Sequence, residues 1–139
     1  LCAFCSIHTF ETWIYEHPDA SLAEWAEMFD RTERSFGRGQ NNEPWREQML
    51  AGCDLFTNTP LYMCPRYVVS YALSIVCAQQ LKAAYDADPA AGWARYRALC
   101  ASGGSKPYAE TLEGAGLSLP FAPGAVETMA REMTAEIWG

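Results

Sequence analysis

The stretch PRYVVSYALSIVCAQQLKAAY, residues 65–85, is the longest predicted helix of this 139-residue chain and decides its fold class. Its most apolar part, residues 67–78, spans 12 residues, whereas a membrane-spanning helix needs about 20. We therefore expect a core helix and no membrane span. Tyr67 and Tyr71 lie four residues apart at its start, so on a helix their side chains share one face.

The remaining sequence is helical in pattern, with clear start and stop signals. Ser21 and Glu24 form a capping box, and Asp88 followed by Pro89 is typical of a helix start. Asn42 or Glu43 precedes Pro44 at the start of a short helix that Gly52 ends, and Gly103 with Gly104 ends the helix that Asp88 starts. No segment alternates as a strand does, so the predicted class is all-α, an irregular antiparallel helical bundle, and residues 1–139 are expected to form a single helical unit. Residues 53–63 are predicted to be irregular. The predicted helices cover residues 2–16, 21–37, 44–50, 65–85, 88–102, 105–113 and 123–138.

Predicted buried faces follow from the helical spacing of apolar residues. In the first helix the stripe is Phe4, Ile7, Phe10 or Glu11, and Ile14. In the second it is Leu22, Trp25, Met28 or Phe29, and Thr32. In the last it is Val126, Met129, Met133 and Ile137.

Composition excludes several classes of protein. Half of the residues are hydrophobic and 13% are aromatic, which favours a packed core over disorder. The net charge of −7, without a Lys/Arg cluster, argues against nucleic-acid and anionic-membrane partners. The six cysteines do not fit a small secreted disulfide scaffold. Free Cys packs as a small hydrophobe, so we expect reduced thiols and a cytoplasmic location.

The first residue is Leu1, and the following residues already have a helical pattern without a start signal. No signal-peptide features precede them. We therefore expect the chain to be part of a longer polypeptide.

A metal or nucleophile site is not evident within the chain. Cys2, Cys5, His8 and Glu11 are spaced by threes and carry zinc-ligand chemistry, but no second C-x-x-C accompanies them. Neither His8 nor His17 begins an H-E-x-x-H helix, and no G-x-S-x-G motif is present. We predict no metal ligands in this chain, and no catalytic activity by the chain alone.

The tyrosine pair leaves two interpretations open. Tyr67 and Tyr71 are either core aromatics or protonated phenol donors, and such donors can stabilise an oxyanion on an attacked carbonyl. The residues alone favour the core interpretation.

Three segments resemble, in order and near family spacing, the oligoendopeptidase F group of the M3 zinc peptidases. They are distributed across almost the whole chain. They are FETWIYEHPDASLAEWAEMF (10–29), CPRYVVSYALSIVCAQQL (64–81) and YRALCASGGSKPYAETLEGAGLSLPF (96–121).

The resemblance implies that the chain is the C-terminal helical portion of a larger metallopeptidase-like domain that hydrolyses short peptides. The zinc motif of that family lies upstream, so zinc is expected in the parent protein with ligands outside this chain. Glu11 is not the family's third zinc ligand, because it matches a different motif that comes later in the family sequence. By family position, Tyr67 and Tyr71 are the expected catalytic donors, and Tyr62 and Arg66 the expected substrate-binding residues. The expected partner is the upstream part of the same polypeptide, or a second copy.

This chain departs from the family pattern at one position, and that difference leaves a non-catalytic function open. The family has a histidine shortly before the tyrosines, where this chain has Pro60, Leu61 or Tyr62, and no histidine occurs from 18 to 139. A non-catalytic helical scaffold, or a peptide-binding module from a degenerate homologue, is the second interpretation. An unrelated all-α interaction domain is the third.

Overall fold

A computed structural model describes residues 1–38, 43–50 and 53–138 of the chain. None of these residues forms a strand, which confirms the predicted all-α class. The helices are α1 (Cys2–Glu16), α2 (Leu22–Ser35), α3 (Glu43–Leu50), α4 (Cys53–Thr57), α5 (Thr59–Met63), α6 (Val69–Ala87), α7 (Pro89–Ser102), α8 (Tyr108–Gly114) and α9 (Ala125–Trp138).

The capping signals read from the sequence are confirmed. The Ser21 hydroxyl accepts from the Glu24 N–H at 3.3 Å, and the Glu24 carboxylate accepts from the Ser21 N–H at 2.8 Å. The Asp88 carboxylate accepts from the Ala90 N–H at 2.9 Å, which opens α7. At the end of α7, Gly103 adopts a left-handed φ of 53°. The predicted signals at Asn42 and Gly52 lie outside the described residues.

The prediction that residues 53–63 are irregular is wrong. They form α4 and α5, each five residues long. Such short helices are not stable by themselves. Leu55 and Leu61 are buried in the same core cluster as Phe10 and Phe29, so tertiary packing stabilises these two turns.

The start of the longest helix was also predicted too early. Pro65 does not open α6, which begins at Val69. Instead the Tyr67 N–H donates to the Cys64 carbonyl at 3.0 Å, with Pro65 in the second position of the resulting turn. Proline suits that position as well as it suits the first turn of a helix.

The chain divides into two compact units, residues 1–72 and 73–139. In the first unit α1 packs on α2. Its core contains Phe10, Phe29, Leu55 and Leu61, and the rings of Phe10 and Phe29 meet edge to face at 5.2 Å. The predicted stripe of α2 is wrong at Leu22, which is 64% exposed.

The second unit is built on the later part of α6 together with α7, α8 and α9. Its core cluster contains Cys77, Leu112, Ala115 and Leu117. In the stripe predicted for α9, Met129 is buried but Val126 is exposed, and the side chain of Ile137 lies outside the described part. Within the described residues, no helix combines the length and the apolar character that crossing a membrane requires.

Candidate functional site

Tyr67, two residues before α6, and Tyr71, in its first turn, meet at the amino-terminal end of this helix. The Tyr71 hydroxyl donates to the Tyr67 hydroxyl at 3.2 Å. Their rings lie edge to face with centroids 5.2 Å apart. Tyr67 is 47% exposed and Tyr71 is 41% exposed, so the structure does not place them in the core. The core interpretation of the two phenols is therefore wrong in this structure.

The tyrosine pair can donate one hydrogen bond to a group outside the pair. Because the Tyr67 oxygen accepts from Tyr71, the Tyr67 O–H remains to donate to another acceptor. The hydrogen bond with Tyr67, followed by the charge that Tyr67 carries when ionised, raises the pKa of Tyr71. Tyr71 is therefore a neutral donor throughout the physiological pH range.

Phe4 of α1 supports the pair from one side. Its ring stacks on the Tyr71 ring, with centroids 4.9 Å apart and planes inclined by 22°. Phe4 belongs to the predicted apolar stripe of α1, and that signal explains why it faces an aromatic neighbour. The stacking limits the rotation of the Tyr71 ring and so contributes to the position of its hydroxyl.

A strained turn positions Tyr67. Arg66, the preceding residue, has a φ of 61°, a value that residues other than glycine seldom adopt. The Arg66 backbone N–H donates to the carboxylate of Glu11, which is 2% exposed. The sequence placed Glu11 on the buried face of α1 only as an alternative to Phe10, and the structure buries both. The partner of Glu11, 55 positions away, had no sequence signal.

The two predicted substrate-binding residues have contacts within the chain. The Tyr62 hydroxyl donates to the Leu55 carbonyl at 3.1 Å, which joins α5 to α4, and partial burial raises the pKa of Tyr62. The Arg66 guanidinium lies over the Tyr15 ring, 5.0 Å from its centroid. Both side chains are exposed, so both remain accessible to a ligand.

The possible zinc ligands near the start of the chain do not form a zinc site. The His8 Nδ1 atom lies 3.8 Å from the Glu11 Oε2 atom, while Glu11 Oε1 is bound to the Arg66 N–H. The His17 ring stacks on Trp13 and its Nδ1 lies 2.9 Å from the Trp13 carbonyl. Among residues 1–38, 43–50 and 53–138, no group of three or more His, Cys, Asp or Glu side chains could hold a metal ion. The described part of the chain therefore does not fit zinc.

No family model matches the sequence, and no curated protein matches it. Two solved structures are similar to it. A protein assigned as an oligoendopeptidase F is 27% identical with a TM-score of 0.84, and PZ peptidase A, solved with an inhibitor, is 25% identical with a TM-score of 0.86. The alignments cover 98% and 99% of this chain but only 24% of either peptidase. The chain is thus similar in sequence and fold to about a quarter of these peptidases, which confirms the resemblance carried by the three segments.

Proposed function

We propose that this chain is the C-terminal helical part of a zinc-dependent oligoendopeptidase-like protein that hydrolyses short peptides in the cytoplasm. Its contribution is one wall of the substrate channel and the hydroxyl donors Tyr67 and Tyr71. Tyr62 and Arg66 bind the peptide beside them. The observation that carries the proposal is the exposed tyrosine pair, in a chain similar to part of two peptidases.

The chemistry of the pair suits a developing negative charge. When a peptide carbonyl is attacked, its oxygen becomes an oxyanion, and a fixed O–H donor lowers the energy of that state. The Tyr67 O–H can donate to such an oxygen while Tyr71 donates to Tyr67. A chain of two hydrogen bonds polarises the first donor and strengthens it. Tyr67 is then the direct donor and Tyr71 its support.

On this proposal the zinc ligands lie in the remainder of the polypeptide; among the described residues of this chain, no group of three or more His, Cys, Asp or Glu side chains could hold a metal ion. When bound there, the ion would supply an activated water for peptide hydrolysis. The residues of this chain hold the peptide and donate hydrogen bonds. The remainder of the polypeptide is accordingly the expected partner of this chain, with self-association as the alternative.

We expect the two hydroxyls to be separable by mutation in the full-length protein. Tyr67→Phe removes the direct donor and should lower kcat on a short peptide by about 10²–10³-fold. Tyr71→Phe should lower kcat by a smaller factor, because Tyr67 keeps its own O–H. Steady-state kinetics on a fluorogenic peptide measures both effects.

Tyr85→Phe is the matched control, because Tyr85 is an exposed tyrosine on α6 in the second unit. It should leave kcat unchanged. If both Tyr67→Phe and Tyr71→Phe kept the native kcat, neither hydroxyl would have a role in catalysis.

A second candidate function is a peptide-binding module without catalysis. The observation that favours it is the absence of any histidine between 18 and 139, where the family places one before the tyrosines. This module would bind peptide through Tyr62, Arg66 and the tyrosine pair. In that case the full-length protein should bind the fluorogenic peptide without cleaving it.

A further inference from the structure

Glu11 is a buried carboxylate with no part in the function proposed above. Its Oε1 atom accepts from the Arg66 backbone N–H, and its Oε2 atom lies 3.8 Å from His8 Nδ1 without a hydrogen-bond partner in the described structure. Burial of a carboxylate is unfavourable unless hydrogen bonds or opposite charges compensate it. The Glu11 carboxylate is therefore costly to bury, and it contacts a turn 55 positions away.

The turn at Arg66 needs external support. A non-glycine residue with a φ of 61° is strained and persists only when its surroundings hold it there. The hydrogen bond from the Arg66 N–H to Glu11 is charge-assisted and is therefore stronger than a bond to a neutral acceptor. It links the middle of α1 to this one peptide group.

The orientation of Tyr67 depends on the same turn. The Tyr67 N–H donates to the Cys64 carbonyl, and the Tyr67 carbonyl accepts from both the N–H and the hydroxyl of Ser70. Hydrogen bonds thus fix the backbone on both sides of Tyr67, and Arg66 is the strained residue inside the first of these turns, between Cys64 and Tyr67. A change of φ at Arg66 would swing the Tyr67 ring away from Tyr71.

We propose that Glu11 is a positioning residue for the tyrosine pair: its carboxylate holds the Arg66 turn and thereby keeps the Tyr67 and Tyr71 hydroxyls in hydrogen-bond contact. The catalytic importance of this positioning rests on the function proposed for the tyrosines. The positioning itself does not depend on that function and can be measured separately.

The test compares Glu11→Met with Glu11→Gln in the full-length protein. Methionine has a similar volume but no oxygen acceptor, whereas glutamine keeps an acceptor for the Arg66 N–H. Tyrosine labelled with ¹³C at Cζ reports each phenol by NMR, and the Tyr71 signal is assigned from its loss in Tyr71→Phe. In the native protein the hydrogen bond that Tyr71 donates to Tyr67 holds the pKa of Tyr71 above its ordinary value.

We expect the pKa of Tyr71 to fall towards the ordinary value of about 10 in Glu11→Met and to stay raised in Glu11→Gln. Peptide cleavage should follow the same order, with a loss in kcat rather than in KM. Phe29→Leu is the control, because it loosens the core of the same unit without removing this acceptor. It should leave the Tyr71 titration unchanged.

An unchanged Tyr71 titration in Glu11→Met would overturn the positioning role, whatever the activity. A shifted titration with native kcat would support the positioning and overturn the proposed function of the tyrosines. If Glu11→Met does not fold, amide hydrogen exchange of the native protein decides the question. The Arg66 N–H should be protected although it lies outside any helix, and exchange at the unprotected rate would overturn the proposal.

Discussion

At the scale of the residue, Arg66 has a backbone φ of 61°, a left-handed value that favours glycine. Pro65 followed by an apolar helical pattern predicts that position 66 lies in the first turn of a helix. The structure places it in the left-handed region, at the corner of a turn. The two conformations respond in opposite ways to glycine, so a pair of substitutions can distinguish them.

We expect Arg66→Gly to be more stable than Arg66→Ala by about 1 kcal/mol, because alanine keeps the left-handed strain and glycine relieves it. Both variants lose the contact of the guanidinium with Tyr15, so that loss cancels in the comparison. Urea unfolding of the two variants measures the difference. In a helix the order would reverse, since glycine there is less stable than alanine by about 0.5–1 kcal/mol.

At the scale of the element, Gly92 determines how closely α6 and α7 approach. A Cβ atom at position 92 would lie 2.4 Å from the Tyr85 Cα and 2.5 Å from the Tyr85 backbone nitrogen. These are backbone atoms, so no side-chain rotation can relieve the overlap. The sequence shows Gly92 only as a weak position inside a helix pattern.

Gly92→Ala should therefore destabilise the protein by about 3 kcal/mol or more, since the two helices must separate. Thermal unfolding followed by circular dichroism measures this loss. Gly114→Ala is the matched control, because nothing lies within 4 Å of a Cβ at that position. A Gly92→Ala variant as stable as Gly114→Ala would show that α6 and α7 do not approach this closely.

At the scale of the whole molecule, the described residues form two core clusters, and the phenol of Tyr108 contacts a residue of the second. In the second unit the Tyr108 hydroxyl lies 3.3 Å from the buried Cys77 sulfur. Burial and this hydrogen bond raise the pKa of Tyr108 above its usual range. The folded state therefore favours the neutral phenol more strongly than the unfolded state does.

The sign of the pH effect follows from linkage. The stabilisation from Tyr108 is fully present below the unfolded-state pKa of about 10 and decreases as the pH rises above it. We expect the native protein to lose more thermal stability between pH 9 and pH 11 than Tyr108→Phe does. Melting temperatures of both proteins at several pH values test this, and equal slopes would contradict it.

Sequence reasoning was most successful where the cause is local. The capping box at Ser21, the Asp88 cap and the glycine stop at Gly103 depend on hydrogen bonds within a few residues. Tyr67 and Tyr71 are close because only three residues separate them, although Tyr67 precedes α6 rather than lying on it. The resemblance to one group of peptidases is also a property of the sequence itself, and the similarity to two solved peptidases confirmed that resemblance.

Tertiary structure decided what depends on groups far apart in the chain. The short helices α4 and α5 exist because Leu55 and Leu61 pack against Phe10 and Phe29. α6 begins at Val69 rather than at Pro65, because a turn at Arg66 precedes it. The Arg66 N–H in that turn donates to the carboxylate of Glu11. Local spacing was enough to predict the helical class and to place Tyr67 near Tyr71, although Tyr67 lies before the helix. How Tyr67 is oriented was left to the tertiary structure, because the contact that holds its turn spans 55 positions.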